Sequence, residues 1–405
     1  MSDATFLTRV VLKNYKSIAA CNVQLQSLMF LVGPNGSGKS NFLDALRFVA
    51  DGLRTSLDHA LRDRGGINEV RRRSGGHPNH FGMRLEFCLS TGSRGHYAFR
   101  IGARPRGGYE VQEEECSVLG SEPLAPEAFF RVREGRVSSS AKVSPAASID
   151  RLYLVSASGL PEFRPVYEAF SRMGFYNLNP DRIRDLQPPD AGELLARDGS
   201  NIASVLSQLA KHAAKRKHCI EEYLAKVVPG VSSVDVKVVG PKETLEFRQV
   251  VAGSDHPWRF LAASMSDGTL RALGVLVSLF QSGNAAHHRI PLVGIEEPEV
   301  ALHPAAAGVL LDSLRDASKS TQVVVTSHSP DLLDHETLVT ESILAVHAEQ
   351  GSTRIAPLNE AGRAALRDRL YTAGELLRLN QLVPDPKAVT EASEGQFRLF
   401  DEGRS

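Results

Sequence analysis

The chain has 405 residues, 42% of them apolar and 23% charged, and its 47 basic residues are balanced by 47 acidic ones. A single core stops growing near ~250–300 residues, so two or three lobes are expected. The charge balance creates no global field, and any nucleic-acid partner must be met by a local patch. Cys21, Cys88, Cys116 and Cys219 form no C-x-x-C pair, which argues against a zinc knuckle or disulfide framework and for a reducing cytosol. No stretch reaches the ~18 apolar residues of a membrane helix and the N-terminus has no long apolar run, so a cytoplasmic protein without a membrane span is expected.

Taken in order, "FLTRVVLKNY", "NVQLQS" and "LMFLVG" read as strands, the last with the continuous apolar run of a buried strand. "NFLDALRFVA" then places Phe42, Ala45, Leu46 and Val49 on one helical face. From Met83 to about Arg136, stretches such as "MRLEFCLS", "HYAFRIGA" and "YEVQEEEC" alternate as antiparallel strands do. Residues 160–228 turn helical, notably "NIASVLSQLAKHAAKRKHCIEEYLAKVV", and strands return at 234–239 and 245–251. Helix 269–281, strand 290–295, helix 305–318 and strand 322–326 then alternate as in a parallel α/β sheet. The tail after Pro384 is polar and expected to be disordered apart from one apolar cluster. The expected division is 1–150, 151–232 as a helical arm-like insertion, 233–383, and a flexible tail 384–405.

Four segments carry chemistry. "GPNGSGKS", Gly33 to Ser40, satisfies G-x-x-x-x-G-K-[ST] between an apolar strand and an amphipathic helix, where glycines let backbone N–H groups face phosphates at a helix N-terminus. Lys39 would neutralise the β- and γ-phosphates of ATP and Ser40 would ligate Mg²⁺. "PLVGIEE" ends an apolar strand in two acids, Glu296 for the metal and Glu297 to polarise the attacking water. Glu stands at 296 where Asp is the usual metal-site residue. "SMSDGTLR" opens a helix with Ser266, Asp267 and Gly268, a serine hydroxyl and glycine N–H suited to a γ-phosphate. In "VVVTSHSPDLL", His328 follows a strand and can report the γ-phosphate as a neutral imidazole.

This ordered set resembles the ABC-type ATPases of the SMC/RecF/OLD class, more closely the short ATPases without a long coiled coil. The resemblance implies an α/β P-loop NTPase head of ABC type with an antiparallel β subdomain and a helical insertion. It implies Gly33, Asn35, Gly36, Gly38, Lys39, Ser40 and Asn41 at the nucleotide, Glu296 and Glu297 as the catalytic pair, and His328 as switch. Lys16, in "VVLKNYKSI", becomes a further candidate for nucleotide contact. The family works as a head-to-tail dimer in which Ser266 and Gly268 of one subunit close the ATP site of the other. No glutamine fills the family's inter-lobe loop clearly; Gln112 and Gln187 are the candidates.

Basic clusters at Arg62–Arg73, Arg94–Arg106 and Lys211–His218 are candidate phosphate-backbone contacts, best the helix carrying Lys211, Lys215, Arg216 and Lys217. The tail's "QFRLF" resembles the short peptides that dock on the replication sliding clamp, with Gln396, Leu399 and Phe400 as anchors; the alternative is that it folds back on its own domain. The expected function is ATP hydrolysis in a dimer that controls DNA or a separate effector such as a nuclease or toxin, in antiviral defence or in RecF-like repair. A non-hydrolysing ATP-gated scaffold and the nucleotide-binding subunit of a membrane pump are the alternatives. Only some 75 residues follow His328, too few for a nuclease domain of its own.

Overall fold

The computed structural model describes residues 5–74, 76, 78–120, 127–282, 289–335, 338–394 and 399–401. Its strands in chain order are β1 (Leu7–Tyr15), β2 (Ile18–Gln24), β3 (Leu28–Val32), β4 (His80–Cys88), β5 (Arg94–Ala103), β6 (Tyr109–Leu119), β7 (Ala128–Arg133) and β8 (Arg136–Ser139). They continue with β9 (Gly174–Tyr176), β10 (Val231–Val239), β11 (Lys242–Gln249), β12 (Trp258–Leu261), β13 (Leu292–Glu296), β14 (Gln322–Ser327), β15 (Ile343–Glu349) and β16 (Ser352–Pro357). No described helix is long and apolar enough to cross a membrane.

Two compact units result, residues 1–173 with 339–405, and residues 174–338. This differs from the expected division because the C-terminal strands return to the N-terminal unit: β15 runs parallel to β3, and Thr353 on β16 pairs with Ile18 on β2. The segment expected as a helical insertion keeps its helices Ile202–His212 and Ala214–Val227 in the second unit but is divided between the two units. Residues 151–173 belong to the first unit as the short helices Tyr153–Ala157 and Arg164–Ser171, while β9 opens the second unit beside β13.

In the first unit the strand order is β8-β7-β6-β5-β4-β1-β2-β16-β15-β3. Two of its hairpins close on Glu134-Gly135 and Gln350-Gly351, both pairs at positive φ, the two-residue turn whose twist matches that of the strands. Tyr15, Phe48, Phe81 and Phe99 meet edge to face under the meander, Phe48 and Phe81 with ring centroids 5.4 Å apart at 79°. In the second unit the buried strand β13 is flanked by β9 and β14, both parallel to it. A separate antiparallel sheet, β10-β11-β12, packs against helices Ile202–His212 and Ala214–Val227.

The fully buried Glu114 of β6 accepts hydrogen bonds from Tyr97 Oη (3.0 Å) and from the backbone N–H groups of Tyr153 (2.5 Å) and Leu154 (2.8 Å). Burial pushes its carboxyl from 4.5 up to about 7, with the hydrogen bonds pulling the other way. A carboxyl raised in the fold gives stability that is full below the unfolded value and lost as pH rises through about 7. The melting temperature is therefore expected to fall by several degrees between pH 4.5 and about 7 and to level off above, and Glu114→Gln to flatten that slope in thermal melts at stepped pH.

Candidate active site

In the first unit, β3 delivers its chain into the loop Gly33–Ser40, and Gly38 caps the helix Lys39–Arg54 at φ 98°. A β-carbon at Gly33 would strike the Val346 carbonyl, and one at Gly38 the Thr353 side chain. The loop thus needs glycine both for its turn and for the close approach of β15 and β16. Lys39 is 5% exposed and donates from Nζ to the carbonyls of Gly33 (2.8 Å) and Pro34 (3.1 Å). The Ser37 hydroxyl is buried without a hydrogen-bond partner, whereas Asn35, Gly36 and Ser40 face outward. An ammonium, an unpaired hydroxyl and a left-handed glycine backbone at a helix start are suited to phosphate oxygens.

Beneath the loop lies a chain of hydroxyls. Thr353 Oγ1 donates to the Ser37 carbonyl (2.9 Å) and lies 2.6 Å from Ser17 Oγ, which accepts from Asn41 Nδ2 at 2.6 Å. Asn41 therefore works inward, as an anchor of the β1–β2 turn. Lys16, held at φ 46°, likewise turns inward and pairs with Asp44 Oδ2 at 2.5 Å. Asp44 also meets Arg47 Nη2 (2.8 Å), Arg64 Nε (3.0 Å) and the Tyr15 hydroxyl (2.8 Å). Burial raises the Asp44 carboxyl, but Arg64, Lys16 and Arg47 outweigh it and hold it below its usual range.

In the second unit, β13 ends at Glu296, and Glu297 follows in the left-handed region at φ 46°, its N–H held by the Thr326 carbonyl at 3.0 Å. His328 Nδ1 lies 3.1 Å from Glu297 Oε1, within ion-pair distance but without hydrogen-bond geometry. Glu296 Oε1 pairs with Arg197 Nη2 at 2.9 Å. Ser266 caps the helix Asp267–Phe280 by accepting from Thr269 N at 3.2 Å. Gly268 admits the Ala301 carbonyl at a point where a β-carbon would collide, so the signature and the loop after the glutamates fit against each other. The structure thus brings Ser266, Gly268, Glu296, Glu297 and His328 into one unit, and Lys16, the Gly33–Ser40 loop and Asn41 into the other.

Several residues here were not read from the sequence. Arg271, one turn into the signature helix, donates to the carbonyls of Leu178 (2.8 Å) and Glu297 (3.1 Å) and reaches that of Glu296 at 3.4 Å. Burial lowers its pKa against the pull of Glu299, Glu297 and Glu296. Glu299 takes the Ser327 hydroxyl (2.7 Å) and the His328 N–H (3.3 Å) on Oε1, fixing the backbone that carries His328. Arg197 and Arg271 carry no motif, and only the fold reveals their targets.

Other candidates take structural roles. Gln187 is buried, donating to the carbonyls of Arg182 and Gly199 and accepting from Ala203 N, and Gln112 sits within β6 beside Glu110; neither forms the inter-lobe loop. The basic helix is broken at Ala213, Lys217 is spent on Glu221 (2.6 Å) and Asp235 (3.1 Å), and Arg216 is half-buried, which leaves Lys211 and Lys215 as the exposed members of the four candidates. In the Arg62–Arg73 cluster, Arg64 is buried on Asp44 and Asp51, Arg62 pairs with Asp58, Arg72 donates to Ser17 O, and Arg73 pairs with Glu69. Gln396 lies outside the described residues. Leu399 and Phe400 are 4% and 7% exposed, packed with Val11 and Ala98, so they are not presented to a sliding clamp. The tail expected to be disordered also forms a helix at Pro386–Ser393.

A family model described as "AAA domain, putative AbiEii toxin, Type IV TA system" (AAA_21) matches residues 28–334, well over half of the chain. The chain belongs to the AAA_21 family. This AAA_21 chain is similar to the DNA replication and repair protein RecF of Vibrio parahaemolyticus, 40% identical over 47 residues, 11% of this chain and 13% of that protein. It is similar to the chromosome partition protein Smc of Desulfitobacterium hafniense, 28% identical over 211 residues, 47% of this chain and 17% of that protein. The chain therefore matches only a small part of either relative's length. Among solved structures it resembles an Smc head bound to the C-terminal winged-helix domain of ScpA, with TM-score 0.56 and 16% identity over 88% of this chain and 99% of that one. A Pyrococcus furiosus Smc head with an extended coiled coil, bound to the C-terminal domain of ScpA, gives TM-score 0.53 at 12% identity, covering 90% and 99%. The fold is that of an SMC/RecF-like, ABC-type P-loop ATPase.

Asp44→Ala leaves the buried Arg64 with Asp51 as its remaining carboxylate and is expected to cost about 2–3 kcal/mol, read as a lower urea midpoint; an unchanged midpoint would show that the cluster is dispensable. Arg271→Ala should cost about 1–3 kcal/mol through the carbonyls left unpaired, and lower the turnover number without weakening nucleotide binding, checked by melts and equilibrium titration.

Proposed function

We propose that the chain binds ATP with Mg²⁺ at Gly33–Ser40 and hydrolyses it, with Glu297 as general base. The observation that carries this reading is the Glu297–His328 pair, a carboxylate and an imidazole 3.1 Å apart on the adjoining ends of β13 and β14. Held in the left-handed region by Arg271 and Thr326, Glu297 is fixed in backbone and can present its carboxylate to a water. Ser40 and Glu296 are the residues that would hold magnesium: an outward-facing hydroxyl at a helix start and a carboxylate at a strand end, completed by water and phosphate oxygens, are oxygen donors of the kind this ion takes. When bound, the ion supplies charge neutralisation on the β- and γ-phosphates. Lys39 neutralises the same phosphates once its Nζ leaves the Gly33 and Pro34 carbonyls. Arg197 competes for Glu296 and so tunes its availability.

The chain acts as a dimer or higher even-numbered oligomer, with Ser266 and Gly268 of one copy closing the ATP site of another. His328 transmits loss of the γ-phosphate through Glu299 and the loop that follows. Downstream of this cycle lies control of a separate cytoplasmic effector, a nuclease or toxin, in a defence or toxin–antitoxin setting, which the family's description supports. Similarity to RecF and Smc supports the second reading, in which the cycle controls DNA contacts, with Lys211 and Lys215 as remaining basic candidates.

Lys39→Ala should abolish ATP binding in an equilibrium titration. Glu297→Gln should retain binding, lower phosphate release by ~10²–10⁴-fold, and accumulate an ATP-dependent dimer on size-exclusion chromatography. Wild-type turnover in Glu297→Gln would overturn the enzyme reading and leave the ATP-gated scaffold.

A further inference from the structure

The side chains of Leu399, Phe400 and Asp401 all meet partners on the surface where they sit. Register places Val11, Arg84, Ala98, Glu115 and Arg131 in one row across β1, β4, β5, β6 and β7. The neighbouring rows on the same face contribute Gly82 with Arg100, and His96. Leu399 lies over Gly82, where any β-carbon would collide with its Cδ1. Phe400 lies under the Arg100 guanidinium, 5.1 Å from ring centroid to Cζ, a cation–π contact. Both rings of contact close on Val11 and Ala98.

Polar groups of Leu399 and Asp401 are engaged as well. Arg84 Nη1 donates to the Leu399 carbonyl (3.2 Å) and to Asp401 Oδ1 (2.9 Å), and Arg131 Nη2 donates to the Asp401 carbonyl (3.0 Å). The Asp401 N–H donates to Glu115 Oε1 (3.0 Å), which also meets His96 Nε2 at 3.0 Å. His96, Glu115 and Asp401 lie close enough together to suggest a cation site. Arg84 and Arg131 already neutralise both carboxylates, however, so a metal would have to displace two guanidinium groups. Arg100 and Arg131 also line a groove of about 940 Å³ that includes Arg133 and Arg136, and the sequence continues with a further acid, Glu402.

We propose that the face of β4–β7 is a peptide-binding site for a Leu-Phe-Asp segment, filled in cis by this chain's own C-terminal segment and exchangeable with the same segment of a second copy. Specificity comes from Gly82 for leucine, Arg100 for the aromatic ring, and the Arg84–Arg131 pair for the acid and its carbonyl. While the tail is docked, the apolar pair resembling a docking motif is hidden; displacing it exposes the motif and vacates the site in one event.

The test uses a fluorescent decapeptide of residues 396–405 and the full-length chain, read by anisotropy. Wild type should bind weakly, because its own tail competes. Leu399→Ser combined with Phe400→Ser should bind at least tenfold tighter, and adding Arg84→Ala and Arg131→Ala should remove that gain. A peptide with serine at both apolar positions should not bind. If the double variant melts like wild type yet shows no gain, or if the serine peptide binds equally well, the proposal fails. Should the double variant not fold, Asp401→Ala in the full chain provides the same reading: tighter peptide binding than wild type supports the site and unchanged binding refutes it.

Discussion

The Asp44 carboxylate, half-buried on the helix that follows the phosphate loop, gathers Lys16, Arg47, Arg64 and the Tyr15 hydroxyl around itself. Its three cations come from three places in the chain, so one acid fixes the β1–β2 turn, the loop helix and the segment 57–70 relative to one another. The Arg64 side chain is 1% exposed, and a guanidinium so enclosed is tolerable only while its carboxylates remain in place. The hydroxyl chain that shapes the loop from below, from Ser17 through Thr353 to the Ser37 carbonyl, starts at the residue after Lys16 and so shares the turn that this acid holds.

The second unit solves a different problem, holding two consecutive acids on a backbone that prefers to be elsewhere. A non-glycine residue at positive φ is costly, and both Glu297 and Ala301 adopt it. Arg271 compensates with donors to the carbonyls on either side of the bend, and Thr326 secures the intervening N–H. Because Arg271 belongs to the signature helix, the position of that helix and the aim of the glutamates are mechanically linked. Gly268 against Ala301 forms a second link of the same kind.

Much of this was legible in the sequence because its signals are local. A buried strand, glycines and a lysine in fixed register identify the phosphate loop, and a strand ending in "EE" identifies the glutamates. The ion partners were not legible, since Arg197 and Arg271 find Glu296 and the Glu297 carbonyl from 99 and 26 residues away. Basic runs misled for the complementary reason: spacing gives charge density but not which charges are already paired, as Lys217 and Arg64 are. The tail's two readings stayed open in the sequence because a short apolar motif looks the same whether it serves a partner or its own sheet, and the surface at Gly82 and Ala98 decides for the sheet.

Thr353 has a consequence in time. It lies 316 residues beyond Ser37, whose carbonyl it holds, and 336 beyond Ser17, whose hydroxyl it meets. During synthesis the glycine loop leaves the ribosome long before either bond can exist. A nascent chain thus carries the complete phosphate-binding sequence without its finished shape, and the loop reaches its final form only when the last strands of the sheet have been made.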